Sequence, residues 1–368
     1  MITDAAKRVA HIADQVVDLP LGRPSFRPED HYKARDFDAK NFRRIPSPHD
    51  RDTIIAFLDG GNMALIQAPS FAVHFERIYV SCFQDNKRIR LGIPNRLEFF
   101  VITTAAGVDG EGNGNQIEYK NTFIPLHKEH AQYLPNEEDL VFDSYDKTIR
   151  EGLEQIRIPR VGDVARSFAE WNYASFVCRA LPDGSIFIRD GTLHAPYTNQ
   201  IGYAEAAYDA AHRQNVLFCG ISKTSHLYTT SGLPLTVAIN RLARENGVHA
   251  PWYYENIVDI TDTAHRADLN FACFHPQSRY TLRVEVLQGQ EDQKERIMSA
   301  IAANSRDITF PGYPYGLIDA DKNARIRREG LDSLRMLLFS EISRTGDFQD
   351  FTDLLAASDA HDWLDRMV

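Results

Sequence analysis

Cysteine is scarce in this chain: Cys82, Cys178, Cys219 and Cys273 lie far apart among 368 residues and form no CxxC or CxxxC pair. That spacing excludes a zinc knuckle and a dense disulfide framework, and it fits a reducing compartment. Long apolar runs are missing too. None approaches the roughly 18 residues of a membrane-spanning helix, and the opening MITDAAKRVAHIADQVVDL has no apolar leader core. A cytoplasmic protein with no membrane partner is the expectation. Positive charge is in short supply, with 41 basic against 51 acidic residues and a net charge of −10. Bulk charge therefore does not coat nucleic acid or anionic lipid, and a phosphate-bearing partner must meet a local basic patch. No internal repeat or low-complexity tract is visible.

What is present describes a folded protein. Apolar types make up 43% and charged types 25%, ordinary globular values. At about 150 residues per domain the length fits two domains, or one large domain with extensions. Residues 4–18 carry apolar positions at helical spacing, and an irregular arm rich in Pro, Asp and Arg follows over 19–52. From Thr53 the texture is β: IIAFLDGG, MALIQAPS, FERIYVSCF and RLEFFVITTAAG form a meander of strands. GVDGEGNGNQ (107–116) is expected to be the long tip of a hairpin. Beyond an acidic segment at 135–155, helices are expected at 161–176, 203–214, 234–246 and 291–304. Strands are expected at 185–191, 216–223, 252–260, 268–274 and 280–287, and two closing helices at 331–343 and 347–366. Strands first and α/β units afterwards suggest one mixed sheet with helices packed on it.

Several residues carry candidate chemistry. Asp59 in IIAFLDGG and Asp190 in SIFIRDGT each end a strand-like segment and precede glycine. A strand can fix a carboxylate at a sheet edge while glycine admits a substrate, although a lone Asp-Gly is more often a turn. Glu170 lies in mid-helix, where a solvated glutamate is the default reading. Asp319 and Asp321 open the helix after GYPYGL, where acids ordinarily complement the helix dipole. GISKTS (220–225) mimics a phosphate loop, but Ser222 occupies the place of the glycine that precedes the lysine, so intrinsic nucleotide hydrolysis is rejected. Lys223 is then either a charge facing a phosphate or a surface lysine. Lys87, Arg88, Arg90 and Arg96, with Lys322, Arg325, Arg327 and Arg328, are local enough to track a nucleic-acid backbone, or are solvated faces. His127 and His130 lack an HExxH context and read as surface histidines.

Taken in order, FLDGG (57–61), the helix bearing Glu170, FIRDGTL (187–193), GISK (220–223) and GYPYGLIDAD (312–321) resemble the NurA nuclease family over roughly residues 53–329. The resemblance implies an RNase H-like α/β core, a mixed sheet flanked by helices. Residues 1–52 would form an N-terminal helix and arm, 53–329 the nuclease domain and 330–368 a C-terminal helical extension. It further implies divalent metal at the sheet edge, manganese or else magnesium, with two ions per site. The expected activity is degradation of DNA from 5′ ends and internal cutting of single strands. The expected assembly is a homodimer working with a HerA-type hexameric ATPase in DNA end processing or defence against foreign DNA.

Position by position, the resemblance makes Asp59, Glu170 and Asp190 metal ligands, with Tyr313 matching the tyrosine of the family's YPxPLxxAH motif. Gly316 stands where proline is usual, and Asp321 stands where a histidine ligand is common. An aspartate still binds a hard divalent ion, so activity with altered metal preference is expected. Lys223 would stabilise charge at the scissile phosphate, and Tyr313 would stack on a base or bond a phosphate. The alternatives are a catalytically inactive subunit that docks on the ATPase ring and guides DNA, and a single-strand binding module. The last is disfavoured, because strand-end acids repel phosphates unless metal is present.

Overall fold

The computed structural model describes residues 2–345 apart from 18, 48–49, 69, 86, 110–114, 151 and 153–155. Seven helices are present among them: α1 (Ile2–Val17), α2 (Ile158–Ala180), α3 (Ile201–Arg213), α4 (Leu235–Glu245), α5 (Lys294–Asn304), α6 (Tyr315–Ala324) and α7 (Arg328–Thr345). Twelve strands make one sheet. The first six are β1 (Phe42–Arg44), β2 (Ile54–Gln67), β3 (Phe71–Gln84), β4 (Lys87–Ile89), β5 (Arg96–Asp109) and β6 (Asn115–Pro125). The others are β7 (Val141–Asp143), β8 (Ile186–Asp190), β9 (Leu217–Ser222), β10 (Trp252–Tyr254), β11 (Ala267–Cys273) and β12 (Leu282–Leu287).

The strand order is β1-β10-β11-β12-β9-β8-β2-β3-β5-β6-β7, with β4 paired to β3. β8 runs parallel to both β2 and β9, while β2, β3 and β5 form an antiparallel meander on one side. An antiparallel meander joined to parallel strands through helical crossovers is the RNase H-like arrangement that the family resemblance implies. Alternation along the central strands buries both faces. Ala56 and Leu58 join Phe168, Trp171 and Phe218 in a core shared with α2 and α3. Ile55 and Phe57 join Ile188, Ile301 and Leu317 in a second core under α5 and α6. α7 covers the far end of the β2–β3 hairpin, with Leu331 against Leu65, Ile66 and Phe75.

The sequence reading differs from the structure in specific places. IIAFLDGG and MALIQAPS are one 14-residue strand, so Asp59 lies inside β2 and not at a strand end. Gly60 and Gly61 keep their pairing with Ile78 and Arg77, so the two glycines open space beside the sheet without ending the strand. The Gly-rich segment at 107–116 is not all turn, because β5 and β6 stay paired as far as Asp109 and Asn115. The segment at 252–260 breaks into β10 and a short strand, Val258–Ile260, that pairs with Tyr32–Ala34 of the arm. Asp319 and Asp321 lie well into α6 and not in its first turn, because that helix already starts at Tyr315. The expected helix at 347–366 falls outside the described residues. All four cysteines are free and buried.

Candidate metal centre

Three structural elements deliver three carboxylates to one place. Asp59 comes from the middle of β2, Asp190 from the last position of β8, and Asp321 from α6. One oxygen from each lies within 4.8 Å of the others. β2 and β8 are adjacent parallel strands, so their register sets Asp59 beside Asp190. Asp321 reaches them because α6 packs flat on β2: Leu317 and Ala320 join Phe57 in the core below it. That packing depends on Gly316, where any Cβ would overlap the Phe57 ring. Its N–H also donates to Asn304 Oδ1 at 2.9 Å. Phe57 and Asn304 therefore leave no room here for the proline usual at this position in the resembled family.

Electrostatics strain this cluster. Burial, reinforced by repulsion from Asp190 and Glu170, pushes the Asp59 pKa up to about 8. Burial also raises that of Asp190, although Lys223 opposes the rise. The Lys223 ammonium spans the group, 2.6 Å from Asp190 and 3.0 Å from Asp321. Burial works against its charge, but Asp190, Asp59 and Asp321 outweigh that and hold its pKa above the usual value. Arg325 pairs with the other oxygen of Asp321 at 2.7 Å. Carboxylates about 4 Å apart repel by about 4 kcal/mol at an effective dielectric near 20. The donors are all hard oxygens, the set that suits magnesium or manganese. The residues present therefore fit a divalent ion.

Glu170 sits next to the group without joining it in this structure. It is buried, not solvated as its helix position alone suggests. Arg166 pairs with Oε1, and Arg189 donates to Oε2 at 3.0 Å. Arg189 also lies over the Trp171 ring at 4.2 Å, and Arg166 donates to the carbonyl of Gly60 at 3.3 Å. Neither arginine was singled out from the sequence. The signal available was Arg166 four residues before Glu170, the spacing of neighbours on one helix face.

The remaining expected residues divide. Tyr313 is buried beside the cluster, with the Lys223 ammonium 5.7 Å from its ring centroid. Burial, then Asp190 and Asp59, push its hydroxyl pKa upward. Asp319 faces away from the cluster and binds Arg88 at 2.5 Å. Of the basic residues, Arg88 and Arg325 are thus engaged by acids, and Arg96 lies over Tyr79 at 5.8 Å. His127 and His130 meet edge-on, with ring centroids 5.1 Å apart, at a short helical turn apart from the cluster.

The mixed sheet with its flanking helices, and the acids gathered on its central strands, define a protein of RNase H-like architecture. The family model for the NurA domain matches residues 53–326, and the chain belongs to that family. Among solved structures it is similar to the NurA nuclease from Sulfolobus solfataricus, at 11% identity and a TM-score of 0.51, over 94% of this chain and 96% of that one. Weaker likenesses include Ciona intestinalis endonuclease V in complex with DNA (12% identity, TM-score 0.33, 77% of this chain and 87% of that). Another is the Aquifex aeolicus Argonaute (11% identity, TM-score 0.28, 74% and 28%). No curated protein matches the sequence. Among the described residues no helix is long and apolar enough to cross a membrane.

Proposed function

We propose that this protein is a metal-dependent deoxyribonuclease that cuts single strands internally and degrades DNA from 5′ ends. The observation that carries the reading is the convergence of Asp59, Asp190 and Asp321 within 4.8 Å. Membership of the NurA family and the fold shared with a NurA nuclease support a nuclease. Asp59, Asp190 and Asp321 would hold manganese or magnesium. Such an ion supplies Lewis-acid activation of water and charge compensation at the phosphodiester.

The chain's own residues do the rest. Lys223, charged and shared between Asp190 and Asp321, turns toward the scissile phosphate and offsets charge building there in the transition state. Tyr313 walls the site, its ring packed beside the Lys223 ammonium. Glu170, held by Arg166 and Arg189, fixes the negative field behind Asp59. A second ion would draw on Glu170 by displacing those guanidinium groups. The partners we assign are single-stranded DNA or DNA ends, a second copy of this chain and a HerA-type hexameric ATPase, in a cytoplasmic setting and in end processing or defence.

The test is a nuclease assay on labelled single-stranded DNA with manganese, magnesium or a chelator, with and without a co-expressed ATPase. Manganese-dependent cleavage that Asp59→Ala and Asp190→Ala abolish is the expected result. Cleavage unchanged in both variants overturns the site. The rival reading, a silent subunit that guides DNA on the ATPase ring, draws on Lys223 already bridging two of the carboxylates. It predicts tight partner binding and no cleavage with any metal.

A further inference from the structure

Beside the carboxylates lies a cavity of about 550 Å³ with a different character. Its walls are Tyr280, Leu282, Phe310, Tyr313 and Ile318, and it shares Lys223, Asp321 and Arg325 with the metal centre. Tyr280 and Phe310 stack with ring centroids 5.3 Å apart and planes only 13° from parallel. Phe310 meets Tyr313 edge-on at 5.6 Å. The outer two rings are open to solvent, with Tyr280 54% and Phe310 40% exposed. Tyr313 is 5% exposed, and its hydroxyl has no hydrogen-bond partner among the described residues.

A single exposed aromatic is ordinary, but a stacked pair at the mouth of a cavity that continues into a charged site leaves an apolar surface uncovered. The backbones that carry both rings are held in place. Ser278 Oγ accepts from the Tyr280 N–H at 3.1 Å and donates to its carbonyl at 3.0 Å. The loop of Phe310 presses on the same serine at Gly312, where φ is +91° and a Cβ would overlap the Ser278 side chain. The platform is thus preorganised, which lowers the ordering cost of binding a flat ligand.

We infer that this aromatic cleft is a nucleobase-binding subsite, which stacks one base of the single strand whose phosphate lies over Asp59, Asp190 and Asp321. The inference rests on the nuclease reading above and adds to it the feature that selects unpaired DNA. Aromatic faces accept any base, because every base has a π-face. Lys223 and Arg325 on the shared wall complement the connecting phosphate. A base in a duplex is covered by its neighbours and does not reach the platform.

The test uses the full unmodified chain with manganese and a fluorescent single strand of about ten nucleotides whose internucleotide linkages resist hydrolysis. Phe310→Ala and Tyr280→Ala are expected to weaken binding by about tenfold each, within the range of one lost stacking contact. Phe310→Tyr, which keeps the ring, restores it and guards against a folding defect. A strand bearing an abasic analogue at the stacked position binds the parent and the alanine variants equally. 2-Aminopurine at that position is quenched by the parent and not by Phe310→Ala.

Alanine variants that bind as tightly as the parent overturn the subsite, as do variants that weaken intact and abasic strands to the same degree. Cleavage assays on the unmodified chain report separately. Loss of manganese-dependent cutting there counts against the nuclease reading, whereas loss of base quenching with cutting intact counts against the subsite alone.

Discussion

Gly60 has no side chain because the Glu170 carboxylate occupies the place where its Cβ would stand. This close approach lets α2 bring a buried acid against β2 one residue from Asp59, and it ties the stability of the sheet's centre to its charge. Gly61 has the same constraint from the other side, where a Cβ would lie 2.6 Å from the Ala324 carbonyl at the end of α6. The glycine pair is therefore squeezed between the helix that carries Glu170 and the helix that carries Asp321.

Gly60→Ala is expected to cost about 1–3 kcal/mol, the range for overpacking a filled interior. It should also displace Glu170 from its arginines. Denaturant unfolding and the nuclease assay check this together, and wild-type values in both would refute the close approach as a constraint.

Arg189→Ala removes one partner of Glu170 and the cation packed on Trp171. Breaking a buried ion pair on one side costs about 3–5 kcal/mol. Arg189→Lys, which keeps a cation facing Glu170, should recover part of that loss, whereas adding Glu170→Gln should not, because Arg166 would then lose its own partner. The comparison of the melting curves decides, and a lysine variant no more stable than Arg189→Ala contradicts the prediction.

Stability of the metal-free protein is expected to fall with rising pH. The Asp59 pKa is raised in the fold from 3.8 to about 8, and that of Asp190 moves the same way. The folded state therefore holds protons that the unfolded chain gives up. The benefit is complete below about pH 4 and is lost progressively up to about pH 8. Asp59→Asn flattens this slope. Melting temperatures across that window, measured in chelator, would refute the prediction if the slope were unchanged by the substitution.

Manganese should reverse that trend, since it replaces the proton as the compensating charge and binds only the ionised site. At a hundredfold excess over the dissociation constant the ion adds about 2.7 kcal/mol. Asp190→Ala is expected to abolish this gain. A thermal shift with manganese as large in Asp190→Ala as in the wild type would place the ion elsewhere.

The parts of this molecule that local pattern specifies were legible from sequence. The strand at 185–191 ends on Asp190, with Gly191 at φ +115° after it, because the Asp-Gly pair marks a real change of direction. FLDGG offered the same signal at Asp59 and meant something else: the glycines continue the strand and are small to admit Glu170 and α6. That reason resides in residues distant along the chain, so no local rule exposes it. Glu170 reads as solvated for the same reason, since a charge that compensates its burial, Arg189, comes from strand β8 and not from its own helix. Asp321 was assigned to a first helical turn because GYPYGL resembles a loop, whereas Pro314 in fact starts the helix one residue later, at Tyr315. The aromatic pair escaped notice because Tyr280 and Phe310 meet only through loops clasped at Ser278 and Gly312.

Asp321 comes from nearly the last stretch of the matched region, while Asp59 comes from its beginning. A ribosome must therefore release almost all of that region before the third carboxylate can swing over the other two. A nascent chain halted before α6 would possess the sheet and two acids yet lack the complete grip on a cation. The order of synthesis thus delays assembly of the proposed cation site until nearly all of the matched region has been made.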